Sequence, residues 1–157
     1  MSHALNVGCG NDYRASTDRV QWTNQDISTN CKTDVCCDIG DIDAYFIEGY
    51  FDYVTAVQVL EHIDKGDFPH VLRVLYHVSA PGALWYFVVP HGFSDNFITD
   101  PTHRMPYSTR TFDYFIEGKP LRENGIIYGW GDIKLEEVEP PELDGNQSIH
   151  FRLKVVK

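Results

Sequence analysis

Positive charge is scarce in this sequence: 13 Lys and Arg stand against 23 Asp and Glu, for a formal net charge of −10. A field of that sign repels phosphate backbones and weighs against nucleic-acid partners. The nearest thing to a basic cluster is Lys119 with Arg122. Long apolar runs are also missing. None approaches the roughly 18 residues of a membrane-spanning helix. The first residues show no charged region followed by an apolar core, so no signal peptide is expected. The four cysteines, Cys9, Cys31, Cys36 and Cys37, form no Cys-x-x-Cys pair and no repeated Cys/His spacing. That argues against a disulfide framework and a zinc module, and for reduced thiols in a cytoplasmic protein. No metal is expected.

What is present suits a globular enzyme. A chain of 157 residues is long enough for one domain with a sizeable core, and 9 Tyr, 9 Phe and 3 Trp supply bulky side chains to fill it. Short apolar, β-branched runs predict strands at 4–8, 20–27, 33–39, 51–57 and 83–89. Between the last two, Phe68, Val71, Leu72, Leu75 and Val78 recur at three- and four-residue steps. That period predicts a helix over 64–79 with Asp64 as its N-cap and Pro81-Gly82 as its stop. His70 and His77 fall on its solvent side. Segments 11–19 and 41–49 are short for crossover helices, so one or two turns each are expected. The alternation predicts an α/β fold with a doubly wound, mostly parallel sheet. Residues 1–157 read as one domain carrying an excursion over about 91–125, helical only at 109–116. Two further strands, 133–138 and 149–155, close the chain as a hairpin.

In such a sheet the ligand lies beyond the carboxyl ends of the strands, where the strand order reverses. Gly8-Cys9-Gly10 follows the first strand, Asp26 ends the second, Asp38 the third, and 58–62 follows the fourth. Each has a plainer reading, since Gly-x-Gly makes turns and Asp caps helices. Tyr13 stands where a dinucleotide fingerprint has its third glycine, and Asp12 lies in the turn. An acidic turn suits a cationic ligand without phosphate better than a pyrophosphate, which favours S-adenosylmethionine over NAD.

These residues resemble a known family. Leu5-Asn6-Val7-Gly8-Cys9-Gly10-Asn11 is similar to the first motif of class I S-adenosylmethionine-dependent methyltransferases. Asn24-Gln25-Asp26-Ile27 and Val35-Cys36-Cys37-Asp38-Ile39 resemble the second and third motifs, and Val59-Leu60-Glu61-His62-Ile63 the turn after the fourth strand. Asp100-Pro101-Thr102-His103-Arg104 looks like a subgroup of small bacterial methyltransferases. The resemblance implies about seven strands, the last antiparallel, with most of the N-terminal cap missing. It implies S-adenosylmethionine as cofactor and S-adenosylhomocysteine as product. Gly8, Cys9 and Gly10 would line the methionine and ribose, and Asp26, with Ile27 beside it, would accept from the ribose hydroxyls. Asp38 and Ile39 would meet adenine, and Gln58 the methionine moiety. With the cap missing, a homodimer partner or a mobile loop would complete the pocket.

Methyl transfer needs a base only when the acceptor must lose a proton. His62, His91 and His103 are candidates by position, with Asp100 orienting His103 or holding an amine. His62 could equally cap a helix, and Asp100-Pro101 could simply set a turn. A His/Asp metal site is the weaker reading, because no helical pairing of ligands appears. Tyr107, Phe112, Tyr114 and Phe115 could wall an acceptor site; for Phe112 and Phe115 a core role is expected. The leading expectation is a methyltransferase acting on an unidentified small molecule, sugar or protein. The alternative is a catalytically inactive, cofactor-binding partner subunit.

Overall fold

The computed structural model describes residues 1–157. Its centre is one seven-stranded sheet. The strands are β1 (Ser2–Val7), β2 (Val20–Asp26), β3 (Val35–Cys36), β4 (Phe51–Val57), β5 (Ser79–Pro90), β6 (Leu135–Leu143) and β7 (Ser148–Val155). They lie in the order β3-β2-β1-β4-β5-β7-β6. The first five are parallel, and β7 runs antiparallel between β5 and β6. Leu5 sits beside Thr23 on one side and Val54 on the other, and Phe87 pairs with Phe151. The predicted third strand, 33–39, shrinks to Val35–Cys36.

The chain steps outward from β1 to β3, then returns to the other side of β1 for β4 and β5. Right-handed crossovers put connections made before that reversal on one face and later ones on the other. The later connections carry helix α1 (Phe68–Val78) and a 3-10 turn at Ile39–Ala44, and they seal Val54, Trp85, Phe87 and Phe151. The strand order is thus the doubly wound one expected, but the earlier connections carry no helix, so loops alone stand on that face. The reason is local. Residues 11–19 have no apolar period, and the buried amides of Asn6 and Asn24 hold this segment instead. Asn6 Nδ2 donates to the Asp12 carbonyl (2.7 Å), and Asn24 pairs both ways with the Arg14 backbone (2.8 and 3.0 Å). On the uncovered face Trp22, Tyr53 and Tyr86 are half-buried, and Leu84 and Val138 are exposed.

Helix α1 begins four residues later than predicted. The Asp64 carbonyl accepts from the Asp67 and Phe68 amides, while its carboxylate pairs with Arg104 at 3.1 Å. Phe68, Val71, Leu72, Leu75 and Val78 bury the face that the sequence period marked, joined by Val74. The helix ends before Pro81-Gly82, because Ser79 is already extended; its hydroxyl donates to the Leu75 carbonyl (2.7 Å) and accepts from Trp85 Nε1 (2.9 Å). A proline at 81 also disfavours helix at Ala80.

The excursion after β5 holds two unforeseen helices, α2 (Asp95–Thr99) and α3 (Arg122–Ile127), and the segment expected to be helical at 109–116 forms a 3-10 turn at Thr111–Phe115. Phe112 packs 4.7 Å from Phe151, and Tyr107 and Phe115 are buried with it, so these rings are core and not an acceptor wall. Arg122, only 4% exposed, donates to the carbonyls of Tyr114, Gly131 and Ile133. Lys119 pairs with Glu137 at 2.9 Å. The one basic cluster in the sequence is therefore used internally. No helix is long and apolar enough to cross a membrane.

Candidate functional site

A cleft of about 730 Å³ opens beyond the carboxyl ends of β1, β2 and β4, at the point of strand reversal. Its floor is the turn at Gly8, whose φ is +59°. A Cβ there would stand 2.4 Å from Val59 Cγ2, so the chain passes only as glycine. The Gly8 amide donates to Gln25 Oε1 (3.1 Å), and Gln25 Nε2 donates to the Cys37 carbonyl (2.6 Å). One buried glutamine thus ties the ends of three strands together.

Asp26 ends β2 and accepts from the Gly10 amide through Oδ2 and the Ser28 amide through Oδ1, both at 2.8 Å. A carboxylate offers about four lone-pair positions, so Asp26 is held rigid while keeping acceptors for a ligand. Asp38 accepts from the Gly40 amide at 2.8 Å, the capping role the sequence left open, and it also borders the cleft. Ile27, 67% exposed, and half-buried Ile39 are the apolar residues beside these two carboxylates. Gln58 has a φ of +56° and donates through Nε2 to Ser148 Oγ at 3.2 Å.

Gly8, Asp26, Ile27, Asp38, Ile39, Gln58 and His62 all border the cleft; Cys9 and Gly10 do not. Cys9 is buried with Sγ turned toward the Lys32 carbonyl at 3.5 Å. Burial first, then the neighbouring Cys31 and Asp26, pushes its thiol up to about 11. The Gly10 amide is already committed to Asp26. Sequence reading missed Gln25, Asp41, Asp64, Asp67 and His70 on the wall. His70 is exposed on the solvent side of the helix as expected, and its Nε2 also reaches the Gly40 carbonyl at 3.0 Å. Asp26, Asp38, Asp41, Asp64 and Asp67 make the cleft strongly acidic, a field that attracts cations and repels phosphates.

A second group of polar side chains adjoins the cleft through His62. Glu61 is fully buried, and neither carboxylate oxygen has a hydrogen-bond partner. Burial, with a smaller contribution from the charge of Asp100, raises its carboxyl to about 7. His62 Nε2 lies 4.0 Å and His103 Nε2 3.9 Å from Glu61 Oε1, and Asp100 Oδ2 lies 3.6 Å from His103 Nε2. The Thr102 hydroxyl joins Asp100 Oδ1 (2.6 Å) to His62 Nδ1 (3.0 Å), and this hydroxyl with the Thr102 amide holds the Asp100 carboxyl below its usual range. The excursion reaches the strand end because the Arg104 and Met105 amides both donate to the Glu61 carbonyl, at 2.7 and 3.0 Å. His62, His103 and Asp100 were expected at a site, and the fold brings all three together. His91 lies apart, its Nδ1 accepting from the Phe93 amide at 3.2 Å. Glu61 went unremarked; the available signal was a carboxylate inside an apolar strand-end run.

No protein-family model matches the sequence, and no curated protein matches it. Solved structures do. A methyltransferase dependent on S-adenosylmethionine from Archaeoglobus fulgidus superposes with a TM-score of 0.65 at 18% identity, over 98% of this chain and 86% of that one. A counterpart from Aquifex aeolicus gives 0.62 at 12% identity, over 99% and 82%. The YcgJ protein from Bacillus subtilis gives 0.61 at 12% identity, over 99% and 92%. The fold is therefore the Rossmann-like fold of class I methyltransferases, with the last strand antiparallel. Identities this low speak for the fold alone, so the activity has to be argued from the site.

Proposed function

We propose that the protein binds S-adenosylmethionine in the acidic cleft and transfers its methyl group to a second substrate, a small molecule, a sugar or a protein. The observation that carries this reading is the run of Gly8, Asp26 and Asp38 around one cleft at the switch point, lined by five aspartates and offering no phosphate cradle. A sulfonium and an ammonium suit that field; a pyrophosphate does not. Asp26 accepts from the ribose hydroxyls, with Ile27 against the sugar. Asp38 and Ile39 meet adenine, and Gly8 and Gln58 face the methionine portion. Cys9 and Gly10 serve the site by shaping the turn behind Asp26.

Transfer is an in-line displacement at carbon already activated by the sulfonium, so positioning contributes most, on the order of 7–11 kcal/mol. His62 borders the cleft, with His103 and Asp100 behind it; these three are the residues proposed for catalysis. Deprotonation of the acceptor falls to this cluster. The Asp100-Pro101-Thr102-His103 stretch, which resembles one in small bacterial methyltransferases, supplies two of the three. Four free thiols fit a reducing, cytoplasmic setting.

Calorimetric titration with S-adenosylmethionine and S-adenosylhomocysteine tests the reading. Micromolar binding, abolished in Asp26→Ala, is expected. Binding that survives Asp26→Ala unchanged would remove the site assignment, and no binding to either ligand would remove the function. A second reading is favoured by the uncovered sheet face around Trp22, Tyr53 and Leu84: a cofactor-binding subunit that assists another copy or another chain. Appearance of S-adenosylhomocysteine with an acceptor pool decides for the enzyme.

A further inference from the structure

The group around Glu61 has a peculiarity of proton inventory. His103 Nδ1 lies 3.1 Å from the Phe97 carbonyl, which can only accept, so Nδ1 carries a proton and, in the neutral ring, Nε2 carries the lone pair. His62 reaches the same state by a longer route. The Thr102 hydroxyl is 2.6 Å from Asp100 Oδ1 and donates to it, so toward His62 Nδ1, at 3.0 Å, it accepts. Nδ1 of His62 is then a protonated nitrogen, and in the neutral ring Nε2 is bare. Both bare nitrogens lie about 4 Å from Glu61 Oε1, and both Glu61 oxygens are buried without a donor. With neutral rings, lone pairs face lone pairs across a small gap, and a fully buried carboxylate is aimed into it. Such an arrangement is costly unless a positive charge, a bound cation or a further proton, stands in the middle.

We propose that Glu61, His62 and His103 form a binding site for a divalent first-row transition metal, zinc by the chemistry of the donor set. This departs from the expectation of no metal drawn from the sequence. The three ligand atoms lie within 4.8 Å of one another. A tetrahedral zinc with bonds of about 2.0–2.1 Å separates its ligands by roughly 3.4 Å, so the two gaps of about 4 Å to Glu61 close by about 0.5–0.6 Å, and no gap in the group has to close by more than about 1.4 Å. The orienting contacts match as well. Metal-bound imidazoles hold their second nitrogen on a carbonyl, a carboxylate or a water; here His103 uses a carbonyl, and His62 reaches Asp100 through Thr102.

Two imidazoles and one carboxylate leave at least one coordination position for a further ligand. Because His62 also borders the cofactor cleft, and on the reading of that cleft given above, the further ligand is an oxygen of the methyl acceptor. Binding to the cation would lower the acceptor's pKa and let it lose its proton near neutrality. His62 then assists deprotonation as a metal ligand in place of a base, and the proton leaves to solvent. The existence of the metal site does not depend on this role.

The test starts from protein treated with a chelator, titrated with Zn²⁺ by calorimetry and with Co²⁺ by visible absorption. Uptake of one equivalent, with the d–d bands of a low-symmetry nitrogen and oxygen site, is expected. Glu61→Gln and His62→Ala should each weaken it by more than about 100-fold, and Thr102→Val, which touches only the orienting contact, by about 10–100-fold. His62 is 41% exposed at its side chain, so its alanine variant should keep the wild-type circular dichroism. Absence of stoichiometric uptake, or uptake unaffected by Glu61→Gln and His62→Ala, overturns the proposal. So does a thiolate charge-transfer band, which would place the metal at Cys9 and Cys31. Titration of the same samples with S-adenosylhomocysteine separates the two readings. Cofactor binding without metal uptake removes the metal site alone, and metal uptake without cofactor binding removes the methyltransferase reading alone.

Discussion

Gly8 and Val59 stand so close that the ends of β1 and β4 meet only because Gly8 has no side chain: a Cβ on it would lie 2.4 Å from Cγ2 and 2.6 Å from Cγ1 of Val59. Val59 opens the turn that carries Glu61 and His62, so this contact couples the cleft floor to the polar cluster. Gly8→Ala therefore combines a positive-φ backbone strain with overpacking, each of order 1–3 kcal/mol. The expected result is a clearly lowered melting temperature together with loss of S-adenosylhomocysteine binding. Gly10 also has positive φ, but open space surrounds its Cβ position. Gly10→Ala should lower the melting temperature by less than Gly8→Ala, and thermal melts of both variants check the order.

Arg122 and Lys119 look alike in the sequence and differ in the fold. Arg122 is buried and carries three carbonyls and Glu117. Removing it leaves the Tyr114, Gly131 and Ile133 carbonyls without their donor, while exposed Glu117 turns to water, so Arg122→Ala should cost about 3–5 kcal/mol. Lys119→Ala removes a partly exposed pair and should cost no more than about 1 kcal/mol. Urea unfolding of the two variants would show the contrast; equal effects would contradict the buried role of Arg122.

Cys9 and Cys36 should differ in reactivity. The Cys9 thiol is buried and raised to about 11, while Cys36 is exposed. At pH 8 roughly one Cys9 in a thousand is thiolate. Because the thiolate is the reacting form, its alkylation should rise about tenfold per pH unit between pH 8 and 10. Mass mapping after iodoacetamide treatment at pH 8 should find Cys36 modified well before Cys9.

Glu61 should be a stability liability when nothing positive lies beside it. In chelator-treated protein at pH 8, Glu61→Gln removes a buried charge without a partner, so the variant should melt higher than the parent. Added zinc should raise the melting temperature of the parent and leave Glu61→Gln nearly unmoved. A variant that melts lower than the parent under chelation would mean the carboxylate is satisfied in a way the geometry does not show.

The strand and turn residues that line the cleft were legible because they obey local rules. Gly8, Asp26 and Asp38 each terminate a short apolar run, and their order along the chain is their order around the cleft. The buried face of α1 was legible for the same reason, since its apolar period is printed in the residues. The helix start was not: Asp64 reads as an N-cap but spends its carboxylate on Arg104, a residue 40 positions away. Short elements fared worst. Helices of five or six residues, such as α2 and α3, are not stable alone and carry little periodicity. They form where Ser94 caps the Phe97 amide and where Arg122 finds its carbonyls.

Composition, periodicity and turn chemistry by themselves determined the parallel α/β class, the antiparallel ending and the place of the cleft at the strand ends, because these follow from residues close together in sequence. Two matters were left to the tertiary structure. One is the bare sheet face, which exists because segment 11–19 is held by Asn6 and Asn24 and does not coil into a helix. The other is the meeting of Glu61 and His62 with Asp100 and His103, which lie about 40 residues further on. Only the folded excursion, pinned by the Arg104 and Met105 amides on the Glu61 carbonyl, closes that distance, and no local propensity encodes it.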